Sequence, residues 1–168
     1  MKIITTTSRL VIREFNVDDA QSVYDFNAPK VVNLYTGDAG VCNNVENALS
    51  IINNIWLKEY ATHGFARWAV ALKDTGKVIG FCGFKQETRF VDIGYRLHPD
   101  YWGKGIATEA NLACIEYAKQ HLNLIEVFGD VMPENTASAN VLKKLGMQYV
   151  ARYQEEGLIL DRYRLFLK

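Results

Sequence analysis

The sequence has few prolines, few cysteines and no excess of either charge. Its 168 residues include three prolines and three cysteines, and 19 Lys and Arg residues balance 19 Asp and Glu residues. A neutral chain without a run of like charges is not typical of a protein whose main partner is nucleic acid. The cysteines form no CxxC pair and have no His at ligand spacing, which disfavours a metal site and a disulfide framework. We expect reduced thiols in a cytoplasmic protein.

Long apolar runs are also absent. No stretch approaches the ~20 apolar residues of a membrane-spanning helix, and the N-terminus lacks the apolar region of a signal peptide. Hydrophobic residues make up 49% of the chain and charged residues 23%, a composition that excludes a disordered protein. Because no linker, repeat or low-complexity tract divides the chain, we expect residues 1–168 to form a single domain without a membrane partner.

Hydrophobic periodicity predicts about four helices and about seven strands in the order β-α-α-β-β-β-α-β-α-β-β. This order indicates an α+β (mixed α/β) fold with a single central mixed sheet flanked by the helices. The segment 91–131 should be a right-handed β-α-β unit with parallel strands. The predicted strands cover residues 9–15, 67–72, 77–85, 91–98, 124–131, 147–153 and 158–166, and the predicted helices cover 18–26, 45–60, 103–121 and 135–145.

A glycine-rich turn follows the predicted strand 91–98 and opens the long helix that begins near Gly103. The first N–H groups of a helix have no internal partner and carry partial positive charge. Gly103 and Gly105 have no side chains, so a phosphate could approach the main chain closely. By spacing alone, the turn is as consistent with a plain strand-to-helix connection as with an anion site, because it matches neither common nucleotide-binding pattern.

A second segment of interest begins the predicted helix 135–145. Asn135 is of a type that caps helices, and Ser138 lies one turn later on the same face. Taken alone, Asn135 is as consistent with capping alone as with a binding site, whereas a Ser inside a helix, as Ser138 is, is usually a solvated or back-bonded hydroxyl.

Together these segments resemble the GNAT acetyltransferase superfamily, and most of all its ribosomal-protein N-terminal (alanine or serine) acetyltransferases. The similarity extends from Thr7 to Phe166 and includes the opening Thr7-Ser-Arg-Leu-Val-Ile-Arg13, Gly94-Tyr95-Arg-Leu, Tyr101-Trp-Gly-Lys-Gly-Ile-Ala-Thr-Glu-Ala110, and Asn135-Thr-Ala-Ser138 through Gly146. Three positions depart from the superfamily pattern. Trp102 replaces the usual Gln or Arg of the anion loop, Met147 replaces Phe, and Leu142 lies near the place of a Tyr that many members use as general acid.

The resemblance implies acetyl-CoA as the cosubstrate and no metal. The main-chain N–H groups from Gly103 to Ala107 would hold its pyrophosphate, an N–H near Leu97 would polarise the thioester carbonyl, and Lys143 or Lys144 could reach the 3′-phosphate. The pantetheine arm would lie along the strand 91–98, in a space from which the strand 124–131 splays away. The implied cofactor-binding residues are Leu97, His98, Trp102, Gly103, Lys104, Gly105, Ile106, Ala107, Thr108, Asn135, Ser138 and Lys144.

The resemblance further implies direct transfer to a primary amine in a ternary complex. Ser138 would donate to the departing sulfur, Asn135 would help to place it, and Glu126, or less readily Asp92, would act as general base. A covalent acetyl-cysteine is not expected, because Cys114 falls on the predicted core face of its helix.

The acceptor side is the part with the fewest motifs. Tyr35 in the irregular segment 28–44, together with Asp92 and Tyr95, is a candidate to bind the amine. Asp25, Asp38 and Glu46 would favour a cation. The acceptor could be a protein N-terminal amine or a small-molecule amine, and the protein a monomer or a homodimer. The alternative is a non-catalytic acyl-CoA-binding sensor or partner module.

Overall fold

The computed structural model describes residues 1–168. Nine strands and five helices alternate along the chain, with short 3₁₀ turns at Val17–Asp19, Lys30–Asn33 and Pro99–Tyr101. The strands are β1 Ile3–Thr6, β2 Leu10–Arg13, β3 Arg67–Leu72, β4 Val78–Gln86, β5 Val91–Ile93, β6 Arg96–Leu97, β7 Glu126–Val131, β8 Gln148–Glu155 and β9 Leu158–Phe166. The helices are α1 Ala20–Asn27, α2 Val45–Ile51, α3 Leu57–His63, α4 Ile106–His121 and α5 Thr136–Lys144, and the π-helical turn Ile52–Trp56 joins α2 to α3.

One mixed sheet forms the centre of the molecule, in the strand order β1-β2-β3-β4-β5-β7-β9-β8, with β6 also paired to β4. Only β5 and β7 pair in parallel, and α4 connects them, which confirms the predicted β-α-β unit and the mixed α/β fold. The sheet has more strands than expected because Ile3–Thr6 adds an edge strand and because the predicted strand 91–98 is divided into β5 and β6. No helix has the length and apolar character that crossing a membrane requires.

Strand β3 lies inside the sheet and separates two hydrophobic cores. Because successive side chains of a strand point to opposite faces, Trp68 and Val70 pack into one core and Ala69 and Ala71 into the other. The first core includes α4, whose Cys114 is fully buried as the sequence predicts. The second core lies beneath α1, α2 and α3.

The sheet opens between β6 and the second half of β7. The parallel pair β5–β7 is registered at Asp92 and Phe128, and β6, which continues the line of β5, pairs with β4 alone. Beyond Phe128, Leu142 of α5 packs over β7 so closely that a Cβ at Gly129 would lie 2.9 Å from it. The opening is therefore bordered by β6 on one side and by β7 and α5 on the other.

Candidate active site

Two main-chain N–H groups face the opening, those of Tyr95 and Leu97. On the other side of the same strand, the N–H of Gly94 donates to the oxygen of Gly83 at 2.9 Å, and the N–H of His98 donates to the oxygen of Ile79 at 2.8 Å. Because donors alternate in direction along an antiparallel strand, the N–H groups of Tyr95 and Leu97 point away from β4. These unpaired donors are suited to bind an extended, amide-rich ligand.

The turn before α4 is exposed and has room for a ligand. Gly103 and Gly105 have φ angles of +71° and +75°, in the left-handed region that favours glycine. A Cβ at Gly103 would meet nothing within 4 Å. The indole of Trp102 donates to the oxygen of Leu97 at 2.9 Å and so fixes the turn to β6. This geometry leaves the first N–H groups of α4 free, those of Ile106 to Thr108, because intrahelical bonding begins with the N–H of Glu109, which donates to the oxygen of Gly105 at 3.0 Å.

An ion pair that sequence reasoning missed supports this turn. Arg9 lies 2.6 Å from Glu109 in the first turn of α4, and the Thr7 hydroxyl donates to the same carboxylate at 2.5 Å. Burial acts to raise the pKa of Glu109, but the hydrogen bonds from Thr7 and Arg9 outweigh it and hold that pKa below its ordinary value. The opening strand is thereby joined to the start of α4.

The N-terminus of α5 meets β6 across the opening. Asn135 caps α5, as predicted, because its Oδ1 accepts the N–H of Ser138 at 3.2 Å. The hydroxyl of Tyr95 donates to the main-chain oxygen of Ser138 at 2.8 Å. Burial raises the pKa of Tyr95 far above its ordinary value, so the hydroxyl stays protonated and remains a donor.

A cavity of about 1000 Å³ lies on the other side of this junction, between the sheet and the segment 24–59. It brings together several residues that the sequence analysis names, which are Tyr35, Asp38, Asp92, Tyr95, Asn135 and Ser138. Exposed apolar side chains, including Leu34, Tyr35 and Ile55, form part of its wall. Cys42 also lines it, and burial raises the pKa of that thiol.

Other predicted residues lie outside the cavity. The turn 102–108 and Leu97 lie on the side of the opening that faces α4, and Lys104 packs 5.6 Å from the ring centroid of Tyr101. His98 caps the 3₁₀ turn that follows β6, where its Nδ1 accepts the N–H of Asp100 at 3.2 Å. Lys144 is exposed in the last turn of α5, at the end of that helix away from Ser138. Neither Asp25 nor Glu46 lines the cavity.

The expectation that Glu126 faces the opening is not met. Glu126 begins β7, before the position where Phe128 is registered with Asp92, and it is paired on its other side with Phe166. The residues of β7 that line the cavity come after that position, from Gly129 to Val131. The structure therefore places Glu126 outside the cavity that Asp92, Tyr95 and Ser138 line.

Asp92 does line the cavity, but it is engaged in an ion pair with Arg67, which also donates to the oxygen of Gly83 at 2.7 Å. The guanidinium of Arg67 fills the space beside Gly94, where a Cβ would lie 2.5 Å from it. Burial raises the pKa of Asp92, and the charge of Arg67 opposes this effect. Asp92 is therefore part of a charged pair that supports the opening.

Another arginine that sequence reasoning missed, Arg96, holds together the side of the cavity formed by the segment 28–44. Arg96 of β6 donates to both carboxylate oxygens of Asp38 at 3.0 Å and to Oδ1 of Asn27 at 2.5 Å. Asp38 lies in the irregular segment 28–44, so Arg96 attaches this segment to the strand that borders the opening. In this contact the negative charge of Asp38 is paired with the positive charge of Arg96.

Comparison with known proteins identifies the family and the fold. A model of the acetyltransferase (GNAT) domain matches residues 9–148. The chain belongs to the GNAT acetyltransferase family.

An uncharacterized N-acetyltransferase of Bacillus licheniformis, p20, is 32% identical over 160 residues, covering 92% of this chain and 84% of that protein. The ribosomal protein uS5-alanine N-acetyltransferase of Escherichia coli is 26% identical over 171 residues, covering 95% and 85%. The structure of a GNAT-family acetyltransferase from Bacillus anthracis has a TM-score of 0.84 at 23% identity and shares the fold over 99% of both chains.

Membership in the GNAT family confirms the expected activity, the transfer of an acetyl group from acetyl-CoA to an amine. The residues present fit this cosubstrate, because the turn at Gly103 and Gly105 is open and the N–H groups of Tyr95 and Leu97 are unpaired. No group of three His, Cys, Asp or Glu side chains could hold a metal ion.

Proposed function

We propose that this GNAT protein binds acetyl-CoA in the opening between β6 and β7 and an amine in the adjacent cavity, and that the acetyl group passes directly between them. The observation that carries this proposal is the position of Tyr95. Its N–H faces the opening, its hydroxyl contacts Ser138, and its side chain lines the cavity. Two substrates bound on these two sides would meet at Tyr95 and Ser138, as a ternary complex requires.

Acetyl-CoA would lie along main-chain donors. The N–H groups of the turn and of the first turn of α4 are suited to its pyrophosphate, and those of Tyr95 and Leu97 to its pantetheine and thioester oxygens. We therefore propose the N–H of Tyr95 as a donor in addition to the expected N–H of Leu97. The proposed binding set otherwise remains that of the sequence analysis, with His98, Trp102, Lys104, Thr108 and Lys144 at its borders.

Ser138 would donate its hydroxyl to the sulfur that departs. The N–H of Ser138 donates to Asn135 and its main-chain oxygen accepts from Tyr95, so these two contacts fix the main chain from which the side chain extends. A covalent acetyl-enzyme has no support, because Cys82 and Cys114 are fully buried and burial raises the pKa of Cys42, which reduces its thiolate fraction.

The acceptor would be a primary amine with an apolar neighbour. The cavity has a charged floor, with Arg67 and Asp92, and an apolar wall that includes Leu34, Tyr35 and Ile55. An N-terminal residue of a protein and a small amphipathic amine both have this character. The Escherichia coli relative acts, by its name, on an N-terminal alanine, which favours testing short peptides first.

We further propose that residues 1–168 are one domain that acts in the cytoplasm as a monomer or homodimer, without nucleic acid or membrane as a partner. The hairpin β8–β9 lies mostly beyond the residues that the family model matches, yet β9 pairs with β7 in the same sheet. Leu158 at its tip lies against the segment 28–44, where a Cβ at Gly37 would be 3.4 Å from it.

The test is thiol release from acetyl-CoA in the presence of peptides that begin with Ala or Ser, small amines and a no-amine control. We expect release that depends on the amine, and stabilisation of the protein by acetyl-CoA and CoA but not by ATP. A ligand at ~100 times its dissociation constant adds ~2.7 kcal/mol, which a thermal shift detects. Gly105→Glu should abolish CoA binding because it places an acid against the phosphates.

The matched control is Gly157→Glu, since Gly157 also has a positive φ, +80°, and lies in the distant β8–β9 turn. Normal CoA binding by the Gly105 variant would contradict the phosphate site. Binding without transfer to any amine would favour the acyl-CoA sensor instead.

A further inference from the structure

The carboxylates of the cavity are not equivalent. Five line it, and four of them form ion pairs with cations. These pairs are Asp38 with Arg96, Glu87 with Lys85, Asp92 with Arg67, and Asp130 with Arg162. The fifth, Glu59, forms no ion pair, and its Oε2 is shielded from solvent without a hydrogen-bond partner. A buried carboxylate oxygen without a partner is unfavourable for folding, so it indicates a group that a ligand completes.

The fold holds Glu59 firmly in this place. Ile52, Trp56 and Glu59 follow one another at helical spacing on the face of α2–α3 that turns inward, and the first two are buried. The next residue, Tyr60, accepts the N–H of Phe15 at 3.2 Å and donates to the oxygen of Arg67 at 2.5 Å. The carboxylate of Glu59 is therefore presented to the cavity by a fixed main chain.

The charged groups around Glu59 come from three elements. They are His63 on α3, Arg67 on β3, and Lys85 with Glu87 at the end of β4. Burial raises the pKa of Glu59, while Lys85, Arg67 and His63 lower it and Glu87 raises it, and the net direction is upward. Arg67 and Lys85 are already paired with other carboxylates, so neither neutralises Glu59 directly.

We propose that Glu59 binds the ammonium group of the acceptor and takes the proton that the amine must lose before it attacks. This inference rests on the proposed function and names the base of that same site. The residue replaces Glu126, which lies away from the cavity, and Asp92, which would have to leave Arg67 to act.

In this mechanism the ammonium group loses a proton before the acetyl group is transferred. An N–H bond of the ammonium breaks, its electron pair stays on nitrogen, and the proton goes to Glu59. The neutral nitrogen then bonds the acetyl carbon, the carbon–sulfur bond breaks, and sulfur keeps that pair. The second proton of the nitrogen passes to sulfur, next to the Ser138 hydroxyl, and Glu59 returns its proton to water.

The test compares Glu59→Gln with the wild type by thiol release over pH 6 to 10. We expect kcat/KM for the amine to fall about 100-fold near pH 7, the lower end of what a general base contributes. The difference should shrink at high pH, where the free amine is already neutral. The KM for acetyl-CoA should not change. Glu116→Gln, an exposed acid on α4, is the matched control and should behave as the wild type does.

Stability gives an independent readout. Because Gln removes a buried charge that has no partner, we expect Glu59→Gln to melt at the same temperature as the wild type or higher. A purely structural role would instead lower the melting temperature. Wild-type kcat/KM and an unchanged pH profile in the variant would overturn the assignment of Glu59. If the wild type itself transfers acetyl to no amine, that result contradicts the proposed function, whereas the outcomes above concern only the role of Glu59.

Discussion

The hydroxyl of Tyr95 donates a hydrogen bond to the main-chain oxygen of Ser138 at 2.8 Å, so the segment between β5 and β6 is joined to α5, the helix that carries the candidate acid. We expect Tyr95→Phe to destabilise the protein by about 1 kcal/mol, the usual contribution of one hydrogen bond. A similar loss in the transition state would lower kcat roughly fivefold. Chemical denaturation and steady-state kinetics measure the two effects.

Tyr117→Phe is the control for this variant, because Tyr117 packs against Trp68 and its hydroxyl forms no hydrogen bond. If the two variants lose kcat equally, the contact between Tyr95 and Ser138 has no special role in catalysis.

Ser138→Ala should lower turnover without weakening cofactor binding. The cap of α5 uses the main-chain N–H of Ser138, which alanine retains, so the helix should be intact. Loss of the donor to the departing sulfur should reduce kcat by roughly 100-fold, the lower end of what a general acid contributes, with the Kd for CoA unchanged. Ser22→Ala on α1 is the control. An unchanged kcat at saturating substrates would remove Ser138 from the mechanism.

Asp38→Asn should affect the amine more than acetyl-CoA. The substitution removes the charge that Arg96 holds with two hydrogen bonds at 3.0 Å, and so frees the segment 28–44 on the acceptor side. We expect KM for the amine to rise roughly fivefold, whereas the melting temperature should change little because Asp38 is partly exposed. Asp74→Asn, in the β3–β4 turn, serves for comparison. A larger change in KM for acetyl-CoA would contradict this account.

The pair between Arg9 and Glu109 should make stability depend on pH in the acid range. The folded state holds the pKa of Glu109 below its ordinary value of 4.5, so the unfolded state binds a proton more readily. The stabilisation is therefore complete above that value and is lost as the pH falls through the folded pKa. The free energy of unfolding should decline less steeply below pH 4.5 in Glu109→Gln than in the wild type. Equal slopes in urea titrations would show that Glu109 makes no such contribution.

The parts of the site that depend on local sequence could be predicted. Gly103 and Gly105 before an amphipathic helix indicate the exposed turn, and Asn135 at the start of another helix indicates its cap, because both features involve neighbouring residues only. The single strand predicted for 91–98 is interrupted at Gly94 and Tyr95, where the side chain of Arg67, a residue distant in sequence, occupies the space beside Gly94.

The acid–base assignment could not be predicted in the same way. Whether Glu126 or Gly129 faces the opening depends on the register of β7 against β5, which is set by long-range pairing. The importance of Glu59 depends on which other acids are already paired with cations. One local signal did exist, because Glu59 follows Ile52 and Trp56 on the apolar face of its predicted helix, where an acid is unusual.

Arg96 lies between the two residues whose N–H groups face the opening, and its side chain binds both Asn27 of α1 and Asp38 in the segment that lines the cavity. One residue therefore connects the segment 28–44 to the strand that orients the two free N–H groups. Grafting another segment in place of 28–44 to accept a different amine should preserve activity only if the graft restores an acid at Asp38 and leaves Asn27 of α1 in contact with Arg96.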